Sequence, residues 1–148
     1  ETTGAAGPDF NNYTRLQSTP YLNFGPADSR VDPRIAAIAD AAARTAGGVV
    51  SCGTPNSGYR TRAQNNSDEV GGAPNSFHMY GKALDLSMAK LTPSQRKVFV
   101  QALIDNGVGG LNVYADTWLH IDLGSPRSWS SQPNWAREIQ RANGRNPT

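Results

Sequence analysis

The chain carries two histidines, His78 and His120, and each lies beside a carboxylate in a segment of strand or turn character. Asp85 follows His78 by seven residues with Gly81 between them, so a turn can fold His78 back beside the start of the strand bearing Asp85. His120 lies on another strand-like segment. Pairing of the two strands would bring two imidazoles and one carboxylate to a single cation. Two neutral nitrogens and one oxygen are a common ligand set for a hydrolytic zinc, whose fourth position holds water. Spacing alone leaves a second reading open, that of two ordinary, partly buried histidines. Cys52 is the only cysteine, which excludes an intrachain disulfide framework, a thiolate zinc finger and a CxxC redox site.

The elements that must position these residues follow from periodicity and punctuation. Residues 1–30, rich in Gly, Pro, Asn, Ser and Thr with scattered aromatics, suit an irregular N-terminal arm; residues 31–148 then form a single domain. Asp32 as N-cap and Pro33 at the first helical position open a helix with apolar residues at Ile35, Ile38, Ala42 and Ala46, closed by Gly47-Gly48. Val49 to Cys52 reads as a short strand leading into Ser57-Gly58-Tyr59-Arg60, and the polar stretch from Asn65 to Asn75 as a loop. Ala83 to Met88 alternates like a half-buried strand. Thr92-Pro93 with Gln95 starts a capped helix that runs to Asn106-Gly107. Leu111 to Tyr114 and Trp118 to Leu123 are two further strands, and Pro133 begins a last short helix through Ile139. Connections too short for crossovers point to an α+β domain with a small antiparallel sheet packed with helices.

Composition narrows the classes. The length of 148 residues suits one core, and 37% apolar with 18% charged residues is too apolar for a disordered tail. Fourteen Lys and Arg against twelve Asp and Glu leave a net charge of +2, too small to argue for nucleic acid. The longest apolar runs, such as Ile35 to Ala39, fall far short of the ~20 residues that span a bilayer. Glu1 to Gly7 shows no basic region followed by an apolar one, so we expect a processed form or a domain of a larger protein.

Three ordered motifs extend the metal reading. Ser76-Phe77-His78-Met79-Tyr80-Gly81-Lys82-Ala83-Leu84-Asp85 fits S-x-H-x-x-G-x-A-x-D, the signature of the M15 zinc peptidases, the family of D-Ala-D-Ala carboxypeptidases and dipeptidases. Ser57-Gly58-Tyr59-Arg60 resembles the family's S-G-Y-R segment, and His120-Ile121-Asp122 its closing H-x-D strand. The resemblance spans residues 57 to 122, with Arg127 and Trp129 as an extension. It implies a hedgehog/D-Ala-D-Ala-peptidase-like fold, with His78, Asp85 and His120 as zinc ligands. Such a zinc lowers the pKa of its water to about 7 and polarises the scissile carbonyl.

By the same resemblance Arg60 steadies the substrate carbonyl oxygen or carboxylate, as a fixed guanidinium can. Ser76 and Gln64 are substrate hydrogen-bonding candidates, with an ordinary turn or loop role as the alternative for each. Arg62 reads as a solvated surface residue and Tyr59 as a packing residue. The general base departs from the pattern. The family commonly places Glu or Asp three residues before the last histidine, where this chain has Thr117, with Asp116 one residue earlier. A regular strand keeps Asp116 on the face of His120 but about 13 Å away, so only a bulge or turn brings it to the water. We take Asp116 as the expected base and Asp122 as the second choice; Asp122 also suits a partner that orients His120 from behind.

The resulting expectation is a zinc-dependent peptidase acting on the peptidoglycan stem peptide, as D,D-carboxypeptidase or endopeptidase. Its partners would be peptidoglycan peptides, with no nucleic acid and no membrane span, and the chain a monomer or a domain of a larger protein. Its location would be extracellular, cell-wall-associated or in a phage lytic protein. The alternative is a module that retains the metal without turnover and binds or structures the cell wall.

Overall fold

A computed structural model describes residues 11–67, 72 and 76–145. Six strands form one open sheet in the order β1-β2-β3-β5-β4-β6, namely β1 Leu22–Asn23, β2 Val50–Ser51, β3 Ala83–Ser87, β5 Trp118–Asp122, β4 Gly110–Ala115 and β6 Arg127–Trp129. The central pairs β2/β3, β3/β5 and β5/β4 are antiparallel, while the outer strands β1 and β6 run parallel to their neighbours. The architecture is therefore α+β as expected, with a mixed sheet in place of a wholly antiparallel one. Both parallel edges come from segments that carry no periodic strand signal. The two-residue β1 lies in the expected arm, and Leu22 and Phe24 are buried in the core. The first ten residues of that arm lie outside the described residues, as do 68–71 and 73–75 of the Asn65–Asn75 loop.

Helix α1 spans Pro33–Ala46, with the Asp32 side chain accepting from the Arg34 amide and Gly47 closing it in the left-handed conformation. Its small residues Ala39, Ala42 and Ala43 are fully buried, which lets the helix approach helix α3, Pro93–Asp105. Helix α3 opens with the expected reciprocal box between Thr92 and Gln95. The same chemistry at Thr61 and Gln64 opens the short helix α2, Arg62–Asn65, between Arg60 and the expected Asn65–Asn75 loop, where the sequence reading placed no helix. Helix α4, Pro133–Arg145, buries Trp135, Ile139 and Ala142, three positions at helical spacing. No helix of the described residues is long and apolar enough to cross a membrane.

The sheet has two faces of opposite character, and this positions the chemistry. Register pairs Leu84 with Ile121, Leu86 with Leu119, Leu111 with Ile121 and Val113 with Leu119, and all six side chains are fully buried. Because side chains alternate along a strand, the intervening residues must point to the other face. There the register sets Asp85 beside His120, His120 beside Asn112 and Asn112 beside Trp129, one row across four strands. The adjacent row is Ala83, Asp122, Gly110 and Arg127.

Candidate metal centre

His78 reaches this face from a 3₁₀ turn, Phe77–Tyr80, capped by the Ser76 side chain, which accepts from the His78 amide. Gly81 ends the turn at φ 66°, a left-handed conformation that suits glycine, and its short return brings His78 beside the start of β3. The Ser57–Arg60 segment is stitched alongside: the Asp85 amide donates to the Ser57 carbonyl, and the Arg60 amide to the His78 carbonyl. The result is that one ligand-type atom each of His78, Asp85 and His120 lies within 4.8 Å of the others.

The protonation of each ring is fixed by what its other nitrogen meets. His78 Nδ1 is 2.8 Å from the Gly58 carbonyl oxygen, which can only accept, so Nδ1 is the donor there and Nε2 is the nitrogen left for a metal. That Nε2 is buried with no aligned hydrogen-bond partner, yet it lies 3.3 Å from Asp85 Oδ1. His120 Nε2 donates to Asp122 at 2.8 Å, which turns its Nδ1 toward Asp85 Oδ1 at 3.2 Å. Two nitrogens therefore flank one carboxylate oxygen. A tetrahedral ion with bonds of about 2.1 Å separates its ligand atoms by about 3.4 Å. The 3.3 Å and 3.2 Å spacings fit such an ion, and the orphaned lone pair of His78 is an acceptor that a cation would satisfy.

Behind His120, Asp122 is fully buried, and its carboxylate accepts five hydrogen bonds. Oδ1 takes the Gly110 and Gly124 amides and Arg127 Nη1, and Oδ2 takes His120 Nε2 and Arg127 Nη2. A Cβ on Gly110 would stand 2.5 Å from both Asp122 Oδ2 and Arg127 Nη1, so only glycine leaves room for this arrangement. The Arg127 guanidinium is itself held against the rings of Phe77 and Trp129, at 5.6 and 5.4 Å from their centroids. This geometry suits Asp122 to positioning His120 rather than to taking a proton from water, since all its lone pairs are engaged. Asp122→Asn is expected to weaken metal affinity by about 10–100-fold, as loss of the group that orients a ligating histidine typically does. Chelator competition measures this, and an unchanged affinity would refute the role.

Arg60 lies at the cleft beside Asp85, with Nη2 3.1 Å from Asp85 Oδ2, Nε bonded to the Asn56 carbonyl and Nη1 to Asn65 Oδ1. Ser76 also lines the cleft, while its hydroxyl caps the 3₁₀ turn. Gln64 does not line it; its side-chain oxygen accepts from the Thr61 amide, the turn role left open by the sequence. Asp116, the expected base, lies elsewhere than the cleft. It sits with Thr117 in the two-residue tip between Ala115 and Trp118, and it lines a separate recess with Arg96, Lys97 and Glu138. A tight hairpin tip carries its side chains beyond the last paired row, and Asp116 is not among the residues that line the cleft with His120. The cleft, about 420 Å³, is walled instead by Phe77, Asn112 and Tyr114, to which the sequence reading gave no site role, and by Trp129, which it named only as an extension of the resemblance. Strand alternation from His120 through its pairing could have found Asn112, but nothing in the sequence announced the pairing of β6.

Residues 52–122 match the family model described as Peptidase M15. The match agrees with the M15 resemblance of the three motifs. The matched segment contains all three ligand-type residues together with Arg60, Ser76, Tyr114 and Asp122, whereas Arg127 and Trp129 complete the cleft from outside it. No curated protein matches the chain.

The charges of the M15 site balance around Asp85. Burial works against its carboxylate, but the imidazoles of His120 and His78 outweigh that and hold the carboxyl well below its usual range. Burial also opposes charge on His120, yet the carboxylates of Asp122 and Asp85 raise its pKa to about 9. Burial and the charge of Asp85 push the Tyr114 phenol upward, against a smaller opposite effect of Arg60. The metal-free M15 cleft thus has an imidazolium between two carboxylates, a proton standing where a cation fits.

Proposed function

We propose that the chain is a zinc-dependent peptidase that hydrolyses peptide bonds of the peptidoglycan stem peptide, as a D,D-carboxypeptidase or endopeptidase. The observation that carries this reading is the convergence of His78 Nε2, Asp85 Oδ1 and His120 Nδ1, each histidine held through its other nitrogen. Two nitrogens and one oxygen leave a position open for chemistry, the mark of a catalytic rather than a closed structural zinc site. Zinc, when bound there, supplies a Lewis acid that activates water and polarises a carbonyl. Arg60 engages the other oxygen of Asp85 and, among the described residues, has two of its five N–H groups left for a substrate oxygen. The stem-peptide substrate follows from the resemblance of the three motifs, and with it an extracellular, wall-associated or phage lytic setting.

A second reading has an observation in its favour. Of the described carboxylates lining the cleft, Asp85 is committed to the ligand set and Asp122 is saturated, so neither is free to take a proton. That arrangement suits a module that binds metal and wall peptide without turnover. Incubating the zinc-loaded protein with purified muropeptides, with and without chelator, decides between them by the masses of the products. Zinc-dependent cleavage at one stem-peptide bond is expected. Intact muropeptides together with full zinc occupancy would replace the enzyme by the binding module.

Metal uptake also has a signed pH dependence. His120 must give up its Nδ1 proton to act as a ligand, and its pKa in the metal-free protein is about 9 against an ordinary 6.5. Apparent zinc affinity should therefore rise about tenfold per pH unit from 6.5 towards 9, with one proton released per zinc bound from this group. In the metal-free protein the same shift stabilises the fold fully below pH 6.5, and this contribution is lost as pH rises through about 9. Chelator competition from pH 6 to 9 tests the first statement; an affinity independent of pH would contradict it.

A further inference from the structure

We propose that the Tyr114 hydroxyl donates a hydrogen bond to the scissile carbonyl oxygen as that oxygen gains negative charge, complementing the Arg60 guanidinium. The inference rests on the peptidase reading and adds a catalytic residue to it. Its basis is a break in the β4/β5 ladder: Val113 pairs with Leu119 and Ala115 with Trp118, so Tyr114 is the extra residue of a bulge. Bulges re-aim a side chain beside a site, at the expense of a ladder pair. Tyr114 also follows Asn112 by two residues, the cleft-facing period of the strand, and it lines the metal cleft with Arg60, Asp85 and His120. Tyr114 is 40% exposed, so the core does not require it, and its hydroxyl makes no hydrogen bond to another described residue. Its polar end is nonetheless close enough to Asp85 and Arg60 to feel both charges.

The step is balanced without a change in Tyr114. Water adds to the carbonyl carbon and gives up one proton, the C=O electron pair moves onto oxygen, and collapse of the adduct restores the carbonyl and breaks the C–N bond as the amine leaves carrying the proton that the water gave up. The phenol keeps its proton throughout, since burial and the charge of Asp85 hold its pKa above the ordinary tyrosine value near 10. A preorganised donor aimed at an oxygen that becomes charged acts on kcat, whereas a group that only holds the ground-state peptide acts on KM. Aromatic stacking on the substrate is a different role, and it survives loss of the hydroxyl.

The test compares zinc-loaded wild type with Tyr114→Phe in two measurements: muropeptide hydrolysis, and calorimetric binding of a phosphinate dipeptide, whose tetrahedral oxygens mimic the adduct. The variant is expected to lose about 10²-fold in kcat, with KM, melting temperature and zinc affinity unchanged, and phosphinate affinity should fall in parallel. Wild-type kcat and phosphinate affinity in the variant would overturn the proposal. If neither protein cleaves any muropeptide, the peptidase reading fails, and phosphinate binding still judges Tyr114. A loss of affinity in the variant supports the donor role; equal affinity, or no binding even to wild type, removes it.

Discussion

Replacing His78 and His120 together by alanine is expected to abolish zinc uptake, leaving dialysed protein without metal where the wild type holds one equivalent. The two imidazoles supply both nitrogens of the ligand set, and Asp85 Oδ1 would remain as its one described member. An outer partner of a ligating histidine is worth about 10–100-fold in affinity, and a ligand should count for more, so the double loss should exceed about 10³-fold. The rings are also held differently. His78 is 2% exposed, so its removal opens a buried void between the 3₁₀ turn and β3, whereas His120 is partly exposed on the sheet. Circular dichroism on the single variants separates a damaged fold from a lost ligand. Metal analysis showing full zinc retention in a folded double variant would sink the site.

Arg60→Ala should lower peptide hydrolysis by about 10²–10³-fold at saturating zinc, the usual cost of one donor at a developing oxyanion. A second effect follows from the structure. Because Arg60 Nη2 holds Asp85 Oδ2 at 3.1 Å, the substitution frees the ligating carboxylate to rotate, and zinc affinity should fall by about tenfold. Assays at limiting and at saturating zinc separate the two contributions. Lysine should rescue poorly, since one ammonium cannot reproduce a fork that engages Asn56, Asn65 and Asp85 at once. Wild-type turnover in Arg60→Ala at full occupancy would return Arg60 to a structural part.

What the sequence determined by itself was local. Asp32-Pro33 and Gly47 bound α1, Thr92 and Gln95 open α3, and alternation marks β3 and β5, because caps and strand periods are written within a few residues of where they act. The spacing of His78, Gly81 and Asp85 belongs to the same class, since a 3₁₀ turn closed by a left-handed glycine is a matter of consecutive residues. The Thr61 to Gln64 box was equally legible, but the four residues between Arg60 and the expected loop were given no element.

Tertiary structure decided where distant segments meet. Whether Asp116 or Asp122 serves His120 depends on the tip of one hairpin and on five donors, four of them from other residues of the β4 to β6 region and the fifth the histidine itself. The choice of Trp129, Asn112 and Tyr114 as cleft walls depends on the register of β5, β4 and β6 and on a single bulge. A one-residue slip in that pairing would exchange the two faces of the sheet. The buried leucines, isoleucine and valine on the opposite face hold the register, so the core, rather than any motif, places the chemistry.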